Sequence, residues 1–326
     1  MTSLPEVQGN VLLVRQGRVL HQASNGFADP VSRTPLTPDT RFQIASISKQ
    51  FTAAATLLLV DAGKLSLNDS IRRWFPEAPA AWDPITPHHL LTHTSGLGHW
   101  PDYEDLCDIC AYSPAEEILH AFYDLPLVQP VGEGFRYSSP GFWLLARITE
   151  LASGTPYREF LDRRIFEPLQ LTSTFAGNGG DRPLLAVGCG PDGPLDELFD
   201  LDGYGMGAGD LWSTTTDLVT WNQALDDGRI LSEDSRRLMF HPFVDTKDAL
   251  PGDYQYYGYG WFVGTLDGHD IRVHTGGNAG FQSVNAWFPE YDTHFVHVTS
   301  RDDFFKSSGL TLDGLLLTHL NAALSS

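Results

Sequence analysis

Ser46 and Lys49 are the residues whose types and spacing most directly suggest chemistry. They stand three apart at the start of a segment rich in alanine and leucine. On a helix this spacing places both side chains on one face, about one turn apart. A serine hydroxyl attacks a carbonyl well only when a neighbouring group takes its proton, and a helix N-terminus favours the developing negative oxygen. The pair predicts a lysine-activated serine nucleophile; the alternative for Ser46 is a helix N-cap.

Other segments of the chain match the same pattern as this pair, and they follow it in the expected order. The segment 42–52, which contains the pair, resembles the nucleophile segment of the serine β-lactamase and penicillin-binding-protein superfamily, especially its class C β-lactamase, family VIII esterase and D-aminopeptidase branch. Residues 90–97 (LLTHTSGL) and 209–218 (GDLWSTTTDL) resemble two structural motifs of that branch. Tyr137-Ser138-Ser139 stands where the family has Tyr-x-Asn, and His274-Thr275-Gly276 where it has Lys-Thr-Gly or His-x-Gly.

The resemblance implies a role for each matching residue. Tyr137 would be the general base, held as a phenolate or strongly polarised by Lys49, and His274 would add positive or dipolar character on the opposite wall. The backbone N–H groups of Ser46 and Gly277 would form the oxyanion hole. The substrate contacts would come from Ser139, Thr275 and Gly276. The alternatives are a core tyrosine for Tyr137 and a strand-end residue without a role for His274.

Ser139 departs from the family pattern, which has asparagine at this position. The asparagine helps to hold the amide of a β-lactam or peptide, whereas a serine reaches less far with a single hydroxyl. We therefore expect ester hydrolysis to be favoured over β-lactam or peptide hydrolysis. An acyltransferase or amide synthase using the same serine, and a non-catalytic binding protein of the same fold, are the alternatives.

Other patterns that suggest a cofactor or a metal are incomplete. His89 and His93 have i, i+4 spacing but lack the glutamate of a metalloprotease helix, so a structural role is favoured over zinc. Cys107 and Cys110 have redox spacing without a thioredoxin-like strand before them. Residues 188–193 match a dinucleotide fingerprint in letters only, because prolines prevent the helix that must follow. No Gly-x-Ser-x-Gly occurs, which disfavours an α/β-hydrolase. We expect no metal and no cofactor.

Composition restricts the partners. The net charge is −20, from 21 basic and 41 acidic residues, which disfavours nucleic acid and anionic membranes. Residues 1–10 show no signal-peptide pattern, and three cysteines do not make a disulfide framework, so a cytoplasmic location is the expectation. The expected partner is a small-molecule acyl substrate (ester, amide or lactam), and the sequence leaves the oligomeric state open.

The elements that must position these residues follow from hydrophobic patterning. Residues 11–27 predict a hairpin that turns at Gln16-Gly17, residues 46–62 a buried helix ended by Gly63, and residues 258–299 a series of strands. Amphipathic stretches between 69 and 170 predict helices, residues 177–209 predict loops, and helices are predicted over 211–225 and 309–324.

The predicted fold class is α/β (α+β), an antiparallel sheet flanked by helices with an inserted, mainly helical lobe, and the resemblance makes it β-lactamase/transpeptidase-like. Residues 1–65 and 205–326 would form the α/β lobe. Residues 66–204 would form the helical lobe and the loops of the cleft. Because the N-terminal and C-terminal strands have no separate partners, one shared sheet is the economical topology.

Overall fold

The computed structural model describes residues 4, 6–104, 106, 110–195, 200–246 and 254–325. The strands are β1 Gly9–Arg15, β2 Arg18–Asn25, β3 Phe27–Asp29, β4 Thr34–Pro35, β5 Phe42–Gln43, β6 Phe175–Ala176, β7 Cys189–Gly190, β8 Gly193–Pro194, β9 Leu211–Ser213, β10 Val244–Asp245, β11 Tyr256–Tyr257, β12 Phe262–Leu266, β13 His269–Asn278, β14 Phe281–Phe288 and β15 Thr293–Thr299. The α-helices are α1 Ser48–Asp61, α2 Pro87–Leu91, α3 Ala115–Tyr123, α4 Ser139–Ser153, α5 Tyr157–Leu161, α6 Glu167–Leu169, α7 Thr215–Asp226, α8 Glu233–Met239, α9 Phe304–Ser308 and α10 Leu312–Leu324. Short 3₁₀ turns include Ala45–Ile47 before α1, and a π-helical turn, Asp162–Phe166, joins α5 to α6.

One antiparallel sheet joins the two ends of the chain. Its strand order is β10-β11-β12-β13-β14-β15-β1-β2, with Leu12 of β1 opposite Val296 of β15. β1 and β2 form the predicted hairpin, and both turn residues, Gln16 and Gly17, have positive φ, as a tight hairpin turn requires. The prediction of one shared antiparallel sheet is confirmed.

Helix α1 is buried because its sequence is apolar on nearly every side. Twelve of its fourteen residues are buried, so it lies inside the molecule and not at the surface. Gly63 follows its end with a φ of +66°, and the Gly63 N–H bonds the Val60 carbonyl. The predicted burial and C-terminal glycine are confirmed, while the α-helix begins at Ser48, two residues later than predicted.

The sheet separates two apolar layers. On one face, Phe51 of α1 and Trp221 of α7 stack within the larger core, which continues through helices α2 to α6. On the other face, Leu316 of α10 packs with Val11 and Phe295 in the smaller core. Within the described residues, none of the helices combines the length and the apolar character that a membrane crossing requires.

The insert between α1 and β9 is mainly helical where it is described. Its helices include α3 and α4, which lie within the range 69–170 where amphipathic stretches predicted helices. Residues 188–193 form part of a two-stranded turn, β7 with β8, and not the start of a helix. The lobe boundaries, 1–65 with 205–326 and 66–204, stay a prediction.

Candidate active site

Ser46 lies on the 3₁₀ turn that precedes α1. Ala45, immediately before it, has a φ of +48°, which costs energy for a residue with a side chain. Strand β13 presses against this turn, since a Cβ at Gly276 would lie 2.2 Å from the Ile44 carbonyl oxygen. Ser283 of β14 donates a hydrogen bond to the same oxygen at 2.8 Å. The sheet therefore supports the strained turn. Ser46, at the middle of this turn, remains partly exposed.

Lys49 is fully buried beside Ser46. Its Nζ lies 3.2 Å from Ser46 Oγ, 3.2 Å from Ser139 Oγ and 2.7 Å from the Ala208 carbonyl oxygen. Burial lowers the pKa of Lys49 to about 7, against the opposing effect of the Asp210 charge, which raises it. Near pH 7 a large fraction of Lys49 is therefore the neutral amine, which is the form that accepts a proton.

Tyr137 completes the group around the nucleophile. Its hydroxyl hydrogen-bonds Ser46, and Lys49 Nζ lies 4.9 Å from its ring centroid. The structure thus brings the predicted hydroxyl, amine and phenol together from separate segments. Burial raises the pKa of Tyr137 above its ordinary value, although the Ser46 hydrogen bond lowers it. A phenolate base needs a lowered pKa, so this environment favours the protonated phenol over the phenolate, which was the first of the two expected states.

Two histidines hold the backbone directly after Tyr137. The Ser138 N–H donates to His93 Nδ1 at 3.0 Å, and the Ser139 N–H donates to His99 Nδ1 at 3.3 Å. Both rings lie against Tyr137, with centroid distances of 4.4 Å and 5.3 Å. Burial lowers the pKa of both histidines, that of His99 to about 4. Both are therefore neutral acceptors near pH 7, and they fix the position of the tyrosine.

His89 and His93 contact different groups, whereas two ligands of one metal ion would point at the same site. His89 Nδ1 lies 3.0 Å from Thr86 Oγ1, whereas His93 bonds the backbone after Tyr137. No group of three or more His, Cys, Asp or Glu side chains among the described residues is arranged to hold a metal ion. Cys107, the first cysteine of the pair with redox spacing, lies outside the described residues.

His274 lies on β13 opposite α1 and is neutral. Burial, and then the Lys49 charge, lower the pKa of His274 to about 3, while the hydrogen bond to the Thr275 carbonyl raises it. Its Nδ1 lies 2.6 Å from that carbonyl oxygen and so carries the hydrogen, and its Nε2 accepts from the Tyr257 hydroxyl at 3.1 Å. Of the two expected forms, positive or dipolar, this environment favours the dipole, because the ring is desolvated.

The end of β13 is open where the oxyanion hole was predicted. Gly277 is exposed, and a Cβ there would meet no atom within 4 Å. The next residue, Asn278, is held by hydrogen bonds from its Nδ2 to Gln43 Oε1 at 2.9 Å and to the Gly209 carbonyl at 3.0 Å. The strand end is therefore fixed while space beside Gly277 remains free.

The three predicted substrate contacts have different surroundings. Ser139 is buried, and its hydroxyl lies against Lys49. Gly276 is buried against Ile44, where a side chain would not fit, and Thr275 is half-buried. A substrate role stays a prediction for each of them.

Asp210 and His99 lie in the site although the sequence analysis assigned them no role. Asp210 is fully buried, and its charge acts on Lys49. For Asp210 the available signal was an aspartate directly before the buried strand β9, since buried carboxylates are rare without a partner. For His99 no comparable signal exists, because its contact with Ser139 joins segments forty residues apart.

Comparisons with known proteins identify a family and several relatives of this chain. The profile of the Beta-lactamase family matches residues 4–317. Penicillin-binding protein 4* of Bacillus subtilis is 29% identical over 91% of this chain and 69% of its own length. Esterase EstB of Burkholderia gladioli is 33% identical over 48% of this chain and 44% of its own length. A D-amino acid amidase from Ochrobactrum anthropi, solved with D-phenylalanine, has a TM-score of 0.81 and 26% identity over 98% of this chain and 94% of its own.

Proposed function

The chain belongs to the Beta-lactamase family, and we propose that it is a serine hydrolase that cleaves carboxylic esters of small molecules through an acyl-enzyme on Ser46. The observation that carries this proposal is the buried Lys49 amine 3.2 Å from Ser46 Oγ, with its pKa lowered to about 7. A base with a pKa near the working pH is the most effective proton acceptor.

In the acylation step, Ser46 Oγ bonds to the ester carbonyl carbon while its proton passes to Lys49 Nζ. The protonated Tyr137, hydrogen-bonded to Ser46, donates a proton to the departing alcohol oxygen, and the Lys49 ammonium restores it. This division of labour modifies the expectation of a Tyr137 phenolate, because burial raises its pKa. Water then attacks the acyl carbon with the same groups acting in reverse.

The negative oxygen of each tetrahedral intermediate would be bound by the backbone N–H groups of Ser46 and Gly277. Such donors are effective because they are fixed before the reaction starts. The strained turn at Ala45 and the hydrogen bonds of Asn278 support their rigidity. His274 would contribute only the dipole of its neutral ring.

The preference for esters rests on Ser139. Its hydroxyl contacts Lys49 at 3.2 Å, so this position offers no side-chain amide to hold a lactam or peptide group. The relatives include an esterase, an amidase and a penicillin-binding protein, so the choice between ester and amide is left to the test below. An acyltransferase would use the same residues, and product analysis with a competing alcohol separates the two reactions.

The test is covalent labelling followed by a substrate panel. A fluorophosphonate should add one phosphonyl group to the wild-type protein in intact-mass spectra, and the Ser46→Ala variant should stay unlabelled. Short-chain aryl esters should then turn over at least tenfold faster than cephalosporins in kcat/KM. Labelling at another serine would remove the proposed nucleophile, and equal rates on both substrate classes would remove the ester preference.

A further inference from the structure

Asp210 is a fully buried carboxyl whose environment offers little compensation for its charge. It is 0% exposed, and neither carboxyl oxygen makes a well-formed hydrogen bond with any described residue. The backbone amides of Gly207 and of Asp210 itself lie near the carboxyl group and favour its charged form, but they form no well-aligned hydrogen bond with it. A buried carboxylate without hydrogen-bond partners is costly, so a positive charge nearby would stabilise it.

The loop that carries Asp210 is fixed against the catalytic helix. The Ala208 carbonyl accepts from Lys49 Nζ at 2.7 Å, and the Leu211 N–H donates to Ser48 Oγ at 3.0 Å. The Asp210 carbonyl accepts from the Gly177 N–H at 2.8 Å. With contacts before, at and after it, the Asp210 backbone is fixed two residues from the carbonyl that binds Lys49.

Lys49 lacks any other anion among the described groups that act on it. Its three hydrogen-bond partners are neutral oxygens, and Asp210 is the charged residue that raises its pKa. Linkage is reciprocal, so an Asp210 charge that favours the Lys49 ammonium is itself favoured by that ammonium, although the Arg158 charge is the strongest influence that lowers the pKa of Asp210. Burial opposes both charges and raises the pKa of Asp210 to about 7. Two interacting groups with pKa values this close are expected to titrate as a pair.

The remaining ionisable groups around the pair do not replace this interaction. Arg158 lowers the pKa of Asp210 but forms an ion pair with Asp202. The groups on the Lys49 side, all neutral near pH 7, are Tyr137, His93, His99 and His274. Tyr157, which the Asp210 charge also affects, is neutral and bonds Thr52.

We infer that Asp210 is a positioning residue for the proposed reaction: its carboxylate is the counter-charge that stabilises the ammonium formed when Lys49 takes the proton of Ser46. The proton moves from Ser46 Oγ to Lys49 Nζ as the Oγ–carbon bond forms, and no other reactant is needed. Without the carboxylate, a positive charge would develop in a buried site with only neutral oxygens around it, which raises the barrier. The inference rests on the proposed function for its catalytic meaning, but the electrostatic pairing is measurable without substrate.

The experiment is an NMR titration of the four lysines after labelling with [ε-¹³C]lysine, with Lys49 assigned by the loss of its signal in Lys49→Met. Replacing Asp210 by asparagine should lower the Lys49 midpoint by about one pH unit, since the ammonium loses its neighbouring anion. The acid limb of kcat/KM for an aryl ester should move to lower pH by the same amount, while its plateau falls about tenfold or more.

Asp217→Asn is the matched control. Asp217 is also mostly buried, but it accepts hydrogen bonds from the Ser173 N–H and the Thr174 hydroxyl, and it is not among the groups that act on Lys49. The control should leave the Lys49 midpoint unchanged. An unchanged midpoint in Asp210→Asn overturns the inference even if activity falls.

Two further outcomes separate this inference from the proposed function. A shifted midpoint in a protein that hydrolyses no ester would keep the pairing and reject the function. If Asp210→Asn does not fold, the NMR titration curve of Lys49 in the wild-type protein tests the inference instead. Two inflections in the Lys49 signal would support the coupled pair, and a single inflection would overturn it.

Discussion

The two walls of the cleft around Ser46 differ in charge and in openness. The helix wall, formed by Lys49, Ser139 and Asp210, is fully or almost fully buried and holds two ionisable groups with pKa values of about 7. The strand wall, His274–Asn278, carries a neutral histidine and, just before its last residue, the exposed Gly277. In the proposed mechanism this difference divides the work: proton transfer would depend on the helix wall, whereas the strand wall would supply a backbone donor and room for the substrate.

The largest effect should follow from removing the amine of the helix wall. Lys49→Met preserves much of the side-chain volume but removes the proton acceptor, so kcat/KM on an aryl ester should fall by about 10³-fold or more. Steady-state kinetics measure this, with circular dichroism to show that the variant is folded. A folded variant that retains a tenth of the activity would assign proton transfer elsewhere.

Tyr137→Phe should have the next largest effect and distinguishes two bases. It removes the hydroxyl beside Ser46, and we expect kcat/KM to fall by about 10²-fold. The acid limb of the remaining activity should stay where it is in the wild type, because that limb belongs to Lys49. Loss of the limb in this variant would instead make the tyrosine the titrating base.

The pH dependence of the wild type should report the helix wall. Lys49 must be neutral to accept the Ser46 proton, and its pKa is about 7. Activity should therefore rise with pH through this value, and kcat/KM should fall about tenfold per pH unit well below it. A profile that stays flat between pH 5 and pH 8 would show that no group with this pKa controls the reaction.

Two neighbouring glycines test the strand wall with the same added methyl group. Gly276→Ala would place a Cβ 2.2 Å from the Ile44 carbonyl oxygen, which should cost about 1–3 kcal/mol of stability and displace the turn that carries Ser46. Gly277→Ala meets no atom within 4 Å and should keep the wild-type melting temperature, with KM rising mainly for bulky esters. Thermal unfolding and steady-state kinetics on both variants check this difference in stability. Equal destabilisation of the two variants would contradict it.

The smallest effect should come from His274→Asn. Because the pKa of His274 is about 3, the histidine carries no charge near pH 7, and a neutral amide can retain part of its dipole. We expect kcat/KM to change by less than about tenfold, with an unchanged pH profile. A loss comparable to that of Lys49→Met would show that a charge resides on the strand wall.

Local patterns in the sequence sufficed for much of the fold. The Gln16-Gly17 hairpin, the buried helix after Ser46 and strand β14 depend on turn residues and hydrophobic periodicity close in sequence. The 3₁₀ turn at Ser46 depends instead on pressure from β13, more than two hundred residues away, so the predicted start of α1 was two residues early.

The same division applies to the site. The proximity of Ser46 and Lys49 follows from helical spacing. The neutral state of His274, the partner of Ser139 and the position of Asp210 depend on burial and on contacts between distant segments. Residue types alone do not specify such surroundings, which is why a positive charge on His274 was among the expectations.

The position of β1 beside β15 has a consequence for synthesis on the ribosome. Strand β1 can pair with β2 early, but its other neighbour, β15, is translated more than 250 residues later, and the Ser46 turn contacts Gly276 and Ser283, which are also made late. Such distant pairing delays folding. A growing polypeptide would thus carry its serine long before that serine can react, and fluorophosphonate labelling of ribosome-stalled chains should begin only after β14 has left the exit tunnel.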